Sequence, residues 1–370
     1  MPLALPRHAE LWVPGLVRSW LAARHWRPDP GAPPICWLLF TDHFEPRGGG
    51  VPEATARARM AAWSRSWPGI AARHQDDFGR SPVYTLFYPA EEYQPWVLDE
   101  LAALTSRGIA DVEVHLHHDG EPESVIVDLL GGFVHRLRER HDLLRSDESG
   151  DTAWCFIHGN WALDNSRPDG RWCGLDNELT LLRQLGCRAD FTLPSAPSVC
   201  QTSTVNSIYW AVDDPQGPKS HDTGIPLRIG EAAPPDSLLM VQGPLTLRRH
   251  PRYRVLPTLE VGELAAYALP TAARARAWLA AAPRVGNHVF VKLFGHGGQE
   301  RNASALLDGG GLDRCLTLVR SECARRGWRL GFLSAWEATL LLHQLSRGTC
   351  SATNPPNVWP PRSATPPRRP

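Results

Sequence analysis

Net charge is missing from this chain of 370 residues: Lys plus Arg and Asp plus Glu both total 39. That balance argues against a nucleic-acid protein, where a basic stripe is expected. No apolar run reaches the roughly eighteen residues of a membrane span, so none is expected. The apolar stretch at 11–23 is broken by Pro14 and Arg18, and no charged region leads into it as in a secretory signal. The eight cysteines, Cys36, Cys155, Cys173, Cys187, Cys200, Cys315, Cys323 and Cys350, form no C-x-x-C pair. Several lie inside apolar runs, which reads as buried reduced thiols and a cytoplasmic setting. A phosphate loop is also lacking, since Gly295-His-Gly-Gly298 is short and no Lys-Ser or Lys-Thr follows it. The adjacent Ser220, His221 and Asp222 do not make a triad, which needs convergence from separate segments.

What is present is a strand that runs into metal-type ligands. Asp111-Val-Glu-Val-His-Leu-His-His-Asp-Gly120 places three imidazoles and a carboxylate between positions 115 and 119. Side chains alternate along a strand, so His115, His117 and Asp119 would share one side, with His118 opposite. A second apolar run over 35–40 ends in Thr41-Asp-His-Phe-Glu-Pro46. Two strands that each finish in Asp and His suggest one site at one end of a sheet or barrel. Protonated imidazoles so close would repel, and burial would cost desolvation. A bound cation offsets both by holding them neutral, so a metal centre is expected.

Strand-like and helix-like stretches alternate along the chain, which predicts a parallel α/β architecture. Strands are expected at 35–40, 83–88, 111–120, 152–157, 189–192, 208–212, 238–241, 289–294 and 328–333. Helices are expected at 96–107, 124–140, 177–185, 264–282 and 312–326. Residues 194–235 are rich in Ser, Pro, Asp and Gly and predict long loops. Residues 1–34 read as an N-terminal extension, 35–347 as the body, and 348–370 as a disordered Pro/Arg-rich tail that cannot bury enough apolar surface to order itself.

These strand ends resemble the polysaccharide deacetylase branch of the glycoside hydrolase and deacetylase superfamily. Its fold is a distorted seven-stranded (β/α) barrel. The family's first strand ends in T-F-D-D, matched here by Asp42 and His43, and its second in H-[ST]-x-x-H, matched by His115 and Asp119 with Asp and His exchanged between the motifs. Phe156-Ile-His-Gly-Asn-Trp161 and the helix after Asn177 keep the family's order and spacing, and a late strand ends in His296. The resemblance implies Asp42 as base, His296 as acid, and His43, His115, His117 and Asp119 around a divalent ion, zinc being expected. It also implies a substrate surface at His158, Asn160, Trp161 and Tyr209. The Arg that usually braces the catalytic Asp is absent near Ile157. The implied activity is metal-dependent removal of an acyl group, acetyl being expected, from an N-acylated sugar or polysaccharide. A glycoside-bond hydrolase using two carboxylates, Glu45 and Asp119, is one alternative. A catalytically silent glycan-binding relative is the other.

Overall fold

The strand over Ile35–His43 (β1) is buried at every one of its nine positions. A strand covered on both faces reads as a continuous apolar run, and its neighbours are parallel. β1 is flanked by Tyr84–Pro89 (β2) and, on the other side, by His288–Gly295, which is β7 in the parallel series. The series continues through Ala110–Leu116 (β3), Thr152–His158 (β4), Cys187–Asp190 (β5) and Ser237–Val241 (β6). The spatial order is thus β7-β1-β2-β3-β4-β5-β6, seven strands paired in parallel, with Ile208–Val212 antiparallel on β6 and Arg329–Phe332 beside the first half of β1. The computed structural model describes residues 8–147, 149–250, 253 and 256–350.

The sheet is strongly curled. Lys292 of β7 donates through Nζ to the carbonyls of Phe191 and Leu193, just past β5. Five strand spacings separate β7 from β5, about 24 Å in a flat sheet, which no lysine side chain spans. Among the described residues no backbone ladder joins β6 to β7, so the expected seven-stranded barrel is met as a curled sheet with an unpaired seam.

Curling divides the core in two. Cys36, Leu38 and Phe40 point outward, towards helices Glu53–Ala72 (α2), Pro95–Thr105 (α3) and Glu123–Glu139 (α4). Trp37, Leu39, Phe87, Cys155, Ile157, Phe191, Leu239 and Phe290 point inward. The helix Ala335–Ser346 fills the inner face: Leu341, Leu342 and Leu345 join that cluster, and the amide of Ala335 donates to Thr85 Oγ1 at 3.0 Å. Its start is a capping box, with Ser334 and Glu337 exchanging side-chain and backbone bonds.

Residues 9–25 form a helix that docks through Trp12 onto Ala196, Val205 and Leu245. Gly15 is required there, since a Cβ would stand 2.1 Å from the Ser203 carbonyl. The expected helix over 264–282 is shorter, Ala272–Ala281, because Leu264 pairs with Gly295 and Thr271 caps a fresh start. The expected tail does not begin at 348. Gly348 and Thr349 donate to Leu345 and Gln344, and Cys350 is buried in the inner cluster. Residues 351–370 lie outside the described residues. All eight cysteines are free and buried, and no helix is long and apolar enough to cross a membrane.

One inward residue carries a pH dependence. His288 is fully buried and accepts the Trp37 indole N–H at Nδ1, 2.9 Å away. Burial holds its pKa down at about 4, against 6.5 for a free imidazole. The unfolded chain therefore takes up the proton first. Stability is full above pH 6.5 and falls as pH drops towards 4, by about 3 kcal/mol for this group. Urea midpoints for wild type and His288→Asn should diverge in that window; parallel profiles would refute the assignment.

Candidate functional site

Strand pleating decides which side chains meet at the C-terminal end of the sheet. On β1 the inward series Trp37, Leu39, Thr41 ends in His43, and on β3 Glu113 is followed by His115. His117, just past the end of the strand, continues on the same side. The turn after β7 adds His296. The four rings touch in series: His296 stacks on His43 with centroids 4.8 Å apart, His43 meets His115 edge-on at 4.9 Å, and His115 meets His117 at 4.5 Å.

Glu45 closes the group from the loop after β1. Its Oε1 lies 3.3 Å from His115 Nε2 and 3.7 Å from His117 Nε2. His43, Glu45 and His115 each offer a ligand atom, all within 4.8 Å of one another. His115 Nδ1 donates to the Ile157 carbonyl at 2.7 Å, and its buried Nε2 makes no hydrogen bond. His117 Nδ1 is held by Glu91 Oε1 at 2.6 Å. Fixing Nδ1 in this way aims Nε2 into the site, the usual arrangement of metal-binding imidazoles.

The electrostatics follow from burial and crowding. Burial, then the neighbouring His296, His115, His117 and Lys292, hold His43 well below the ordinary imidazole range. Burial likewise lowers His296. For Glu45 burial pushes upward, but the His115 contact and the surrounding imidazoles prevail and lower it. For His117 burial pushes downward, and the Glu91 carboxylate outweighs it.

Asp42 is placed differently from its expected role as base. Since His43 faces inward, Asp42 faces outward. Its carboxylate accepts the Gly297 N–H at 2.8 Å and the Tyr84 hydroxyl at 3.0 Å. Burial pushes its pKa up to about 7 against those two bonds. It braces the turn that carries His296, together with Trp63, whose indole N–H donates to the Gly297 carbonyl at 2.7 Å. A side chain at 297 would collide, with Cβ 2.4 Å from the Trp63 ring.

A second cluster lies on the outward side of the same strand ends. His118 and His158 face it from the ends of β3 and β4, Glu178 from the start of helix Glu178–Gln184 (α5 in chain order), and Cys173 from the intervening loop. All four are buried, their ligand atoms lie within 4.8 Å of one another, and together they could hold a metal ion. Burial raises the barrier to charge throughout, yet His158 and His118 hold Glu178 at about 2, and burial lowers His158 to about 4.

Several expected residues lie elsewhere. β3 ends at Leu116, so Asp119 falls in a turn, where it accepts the Trp172 N–H at 2.6 Å and pairs with Arg171. It therefore joins neither the imidazoles nor Glu45. His158 was expected at a substrate surface, but it is fully buried in the outward cluster. Tyr209 is fully buried too, its hydroxyl donating to the His221 carbonyl at 2.6 Å. Trp161 does stand at the inward site, 6.3 Å from His43 between ring centroids, and its neighbour Asn160 holds a left-handed backbone at φ 53°. Glu91, Cys173 and Glu178 were missed, since only the folded loops bring them to these imidazoles. Compared with models of known protein families and with curated proteins, the chain matches none.

Proposed function

We propose that this protein is a metal-dependent hydrolase that removes an acyl group, acetyl in the simplest case, from an N-acylated sugar. The observation that carries the proposal is the convergence of His43, Glu45 and His115 at the open end of the curled sheet, with His115 Nε2 buried and unbonded. Three protein ligands beside a partly open mouth are the pattern of a catalytic centre. We read the curled sheet as a distorted (β/α) barrel, and the sugar class rests on the resemblance of its strand-end motifs to polysaccharide deacetylases.

His43, Glu45 and His115 would hold the ion. When bound, a divalent ion such as zinc supplies Lewis acidity towards the acyl oxygen and a water of lowered pKa. His117 is the base: Glu91 fixes its Nδ1 proton, so Nε2 is the atom that takes up a proton from water. His296 is the acid and delivers a proton to the departing amine. Trp161 stands beside His43 and would offer its apolar ring face to a sugar. Water and amide are thereby converted to carboxylate and amine.

The test is metal analysis of the purified full chain, followed by acetate release from N-acetylglucosamine oligomers. Bound divalent metal, lowered by one equivalent in His115→Ala, and acetate release are expected. New reducing ends without acetate would show glycoside cleavage instead. Absence of acetate release after loading with zinc, cobalt or manganese would overturn the proposal.

A further inference from the structure

We infer that His118, His158, Cys173 and Glu178 form a second, separate metal site that binds zinc as a fixed structural ion. This site is independent of the hydrolase reading above.

The first argument is geometric. Ligand atoms ~2.0–2.3 Å from zinc stand roughly 3.2–3.8 Å apart at the corners of a tetrahedron. Here His118 Nε2 lies 3.0 Å from His158 Nε2 and 2.9 Å from Glu178 Oε1. His158 Nε2 lies 3.4 Å from Glu178 Oε1, and Cys173 Sγ lies 3.4 Å from Glu178 Oε2. A plain His118–Glu178 ion pair accounts for one of these contacts. It gives no reason for a second imidazole nitrogen to turn to the same carboxylate oxygen, nor for a buried thiol to join these ligand atoms within 4.8 Å of one another.

The second argument is chemical. Two neutral imidazoles, one thiolate and one carboxylate carry two negative charges, which a divalent ion cancels in a site with no access to water. Three of the four ligands are also oriented from behind, while His118 Nδ1 is buried without a hydrogen-bond partner. His158 Nδ1 donates to the Gly159 carbonyl, the Asn165 amide donates to Cys173 Sγ at 3.2 Å, and Glu178 Oε2 accepts the Asp164 amide at 2.7 Å. Four ligands, all buried, leave no position for a substrate, the mark of a structural site. The inward group, by contrast, offers three ligands with Glu45 and His117 partly exposed.

The role follows from where the ligands sit in the chain. Cys173 and Glu178 end a loop that begins at Gly159 and contains five left-handed residues other than glycine: Asn160, Trp161, Asp164, Asn165 and Trp172. Such a backbone is unfavourable unless its surroundings fix it. An ion shared between strand ends and loop does so, and it thereby sets Trp161 beside His43.

The experiment uses the full chain. Wild type should carry zinc in excess of the inward equivalent, two per chain when both sites are filled. After exchange to cobalt it should show an intense thiolate-to-metal charge-transfer band in the near ultraviolet, a signature the inward site cannot produce because it contains no sulfur. Cys173→Ser should abolish the band and lower metal content by one equivalent. His115→Ala should lower metal content by one and keep the band. A cobalt-loaded wild type without the band overturns the inference even if Cys173→Ser fails to fold, and so does a Cys173→Ser protein with unchanged metal and spectrum. Lack of acyl hydrolysis with the band intact would refute the hydrolase and leave this site standing.

Discussion

Replacing His296 by alanine is expected to slow deacetylation of an N-acetylated sugar by roughly 10² to 10⁴, the contribution of a positioned acid. Hydrolysis of p-nitrophenyl acetate should slow far less, because that leaving group departs without a proton. The imidazole is supplied for this task by its contacts. It stacks on His43, and its carbonyl accepts the Asn302 side-chain amide at 3.1 Å. The next residue is gripped by Asp42 and Trp63. Asp42→Asn keeps the shape of that brace and one acceptor oxygen, so a smaller loss with metal retained is expected. Equal losses on amide and ester in His296→Ala would remove His296 from the acid role. A complete loss on both substrates in Asp42→Asn would restore Asp42 as the base.

The largest stability effect is expected on the inner face. Arg145 bridges Asp111 and Glu113, and Glu113 also accepts the Cys155 amide at 2.6 Å. Glu113 is fully buried, and burial pushes its pKa up to about 8 despite the guanidinium beside it. Arg145 is correspondingly held in its charged form, and it lies over the Trp336 ring at 5.1 Å. Arg145→Met removes the guanidinium that both Asp111 and the buried Glu113 carboxyl contact. Breaking one side of a buried pair costs about 3–5 kcal/mol, more than the pair itself contributes. Urea unfolding should report that loss, and adding Glu113→Gln should recover much of it. A drop below about 1 kcal/mol would mean that water reaches Glu113 and replaces the guanidinium.

The parts legible in sequence were those fixed by local period. The run 111–118 announced both a strand and its split into His115 and His117 on one side and His118 on the other, because pleating needs no tertiary context. The turn geometry beyond Leu116 did need it, and Asp119 was assigned to the wrong neighbours. The same pleating rule, applied from His43, turns Asp42 outward, against the role of base that the family motif implies for it. His158 fell into the same error on β4, where Ile157 is the inward residue. Glu45 is legible beside His43, but the sequence alone pairs it with Asp119 as a glycosidase carboxylate, and only the folded loop brings it to His115. Cys173 and Glu178 carry no spacing signal, since fourteen or more residues of irregular loop separate them from His158. The helix Ala335–Ser346 was missed although Ser334 and Glu337 spell its capping box, for its apolar residues surround it and leave no amphipathic stripe.

The Lys292 bridge gives the curled sheet a clasp where a closed barrel has a continuous weld. In a cylinder closed by backbone pairing, strand number and stagger fix the circumference, and a residue added to one strand must be answered all the way round. Here Lys292 of β7 reaches two carbonyls just past β5, and inward side chains of β6 and β7 such as Val241 and Phe290 share one apolar cluster, with no backbone ladder between those two strands. With no backbone ladder across that seam, an insertion in the loop between Val241 and Glu263 is not passed from β6 to β7 through strand register.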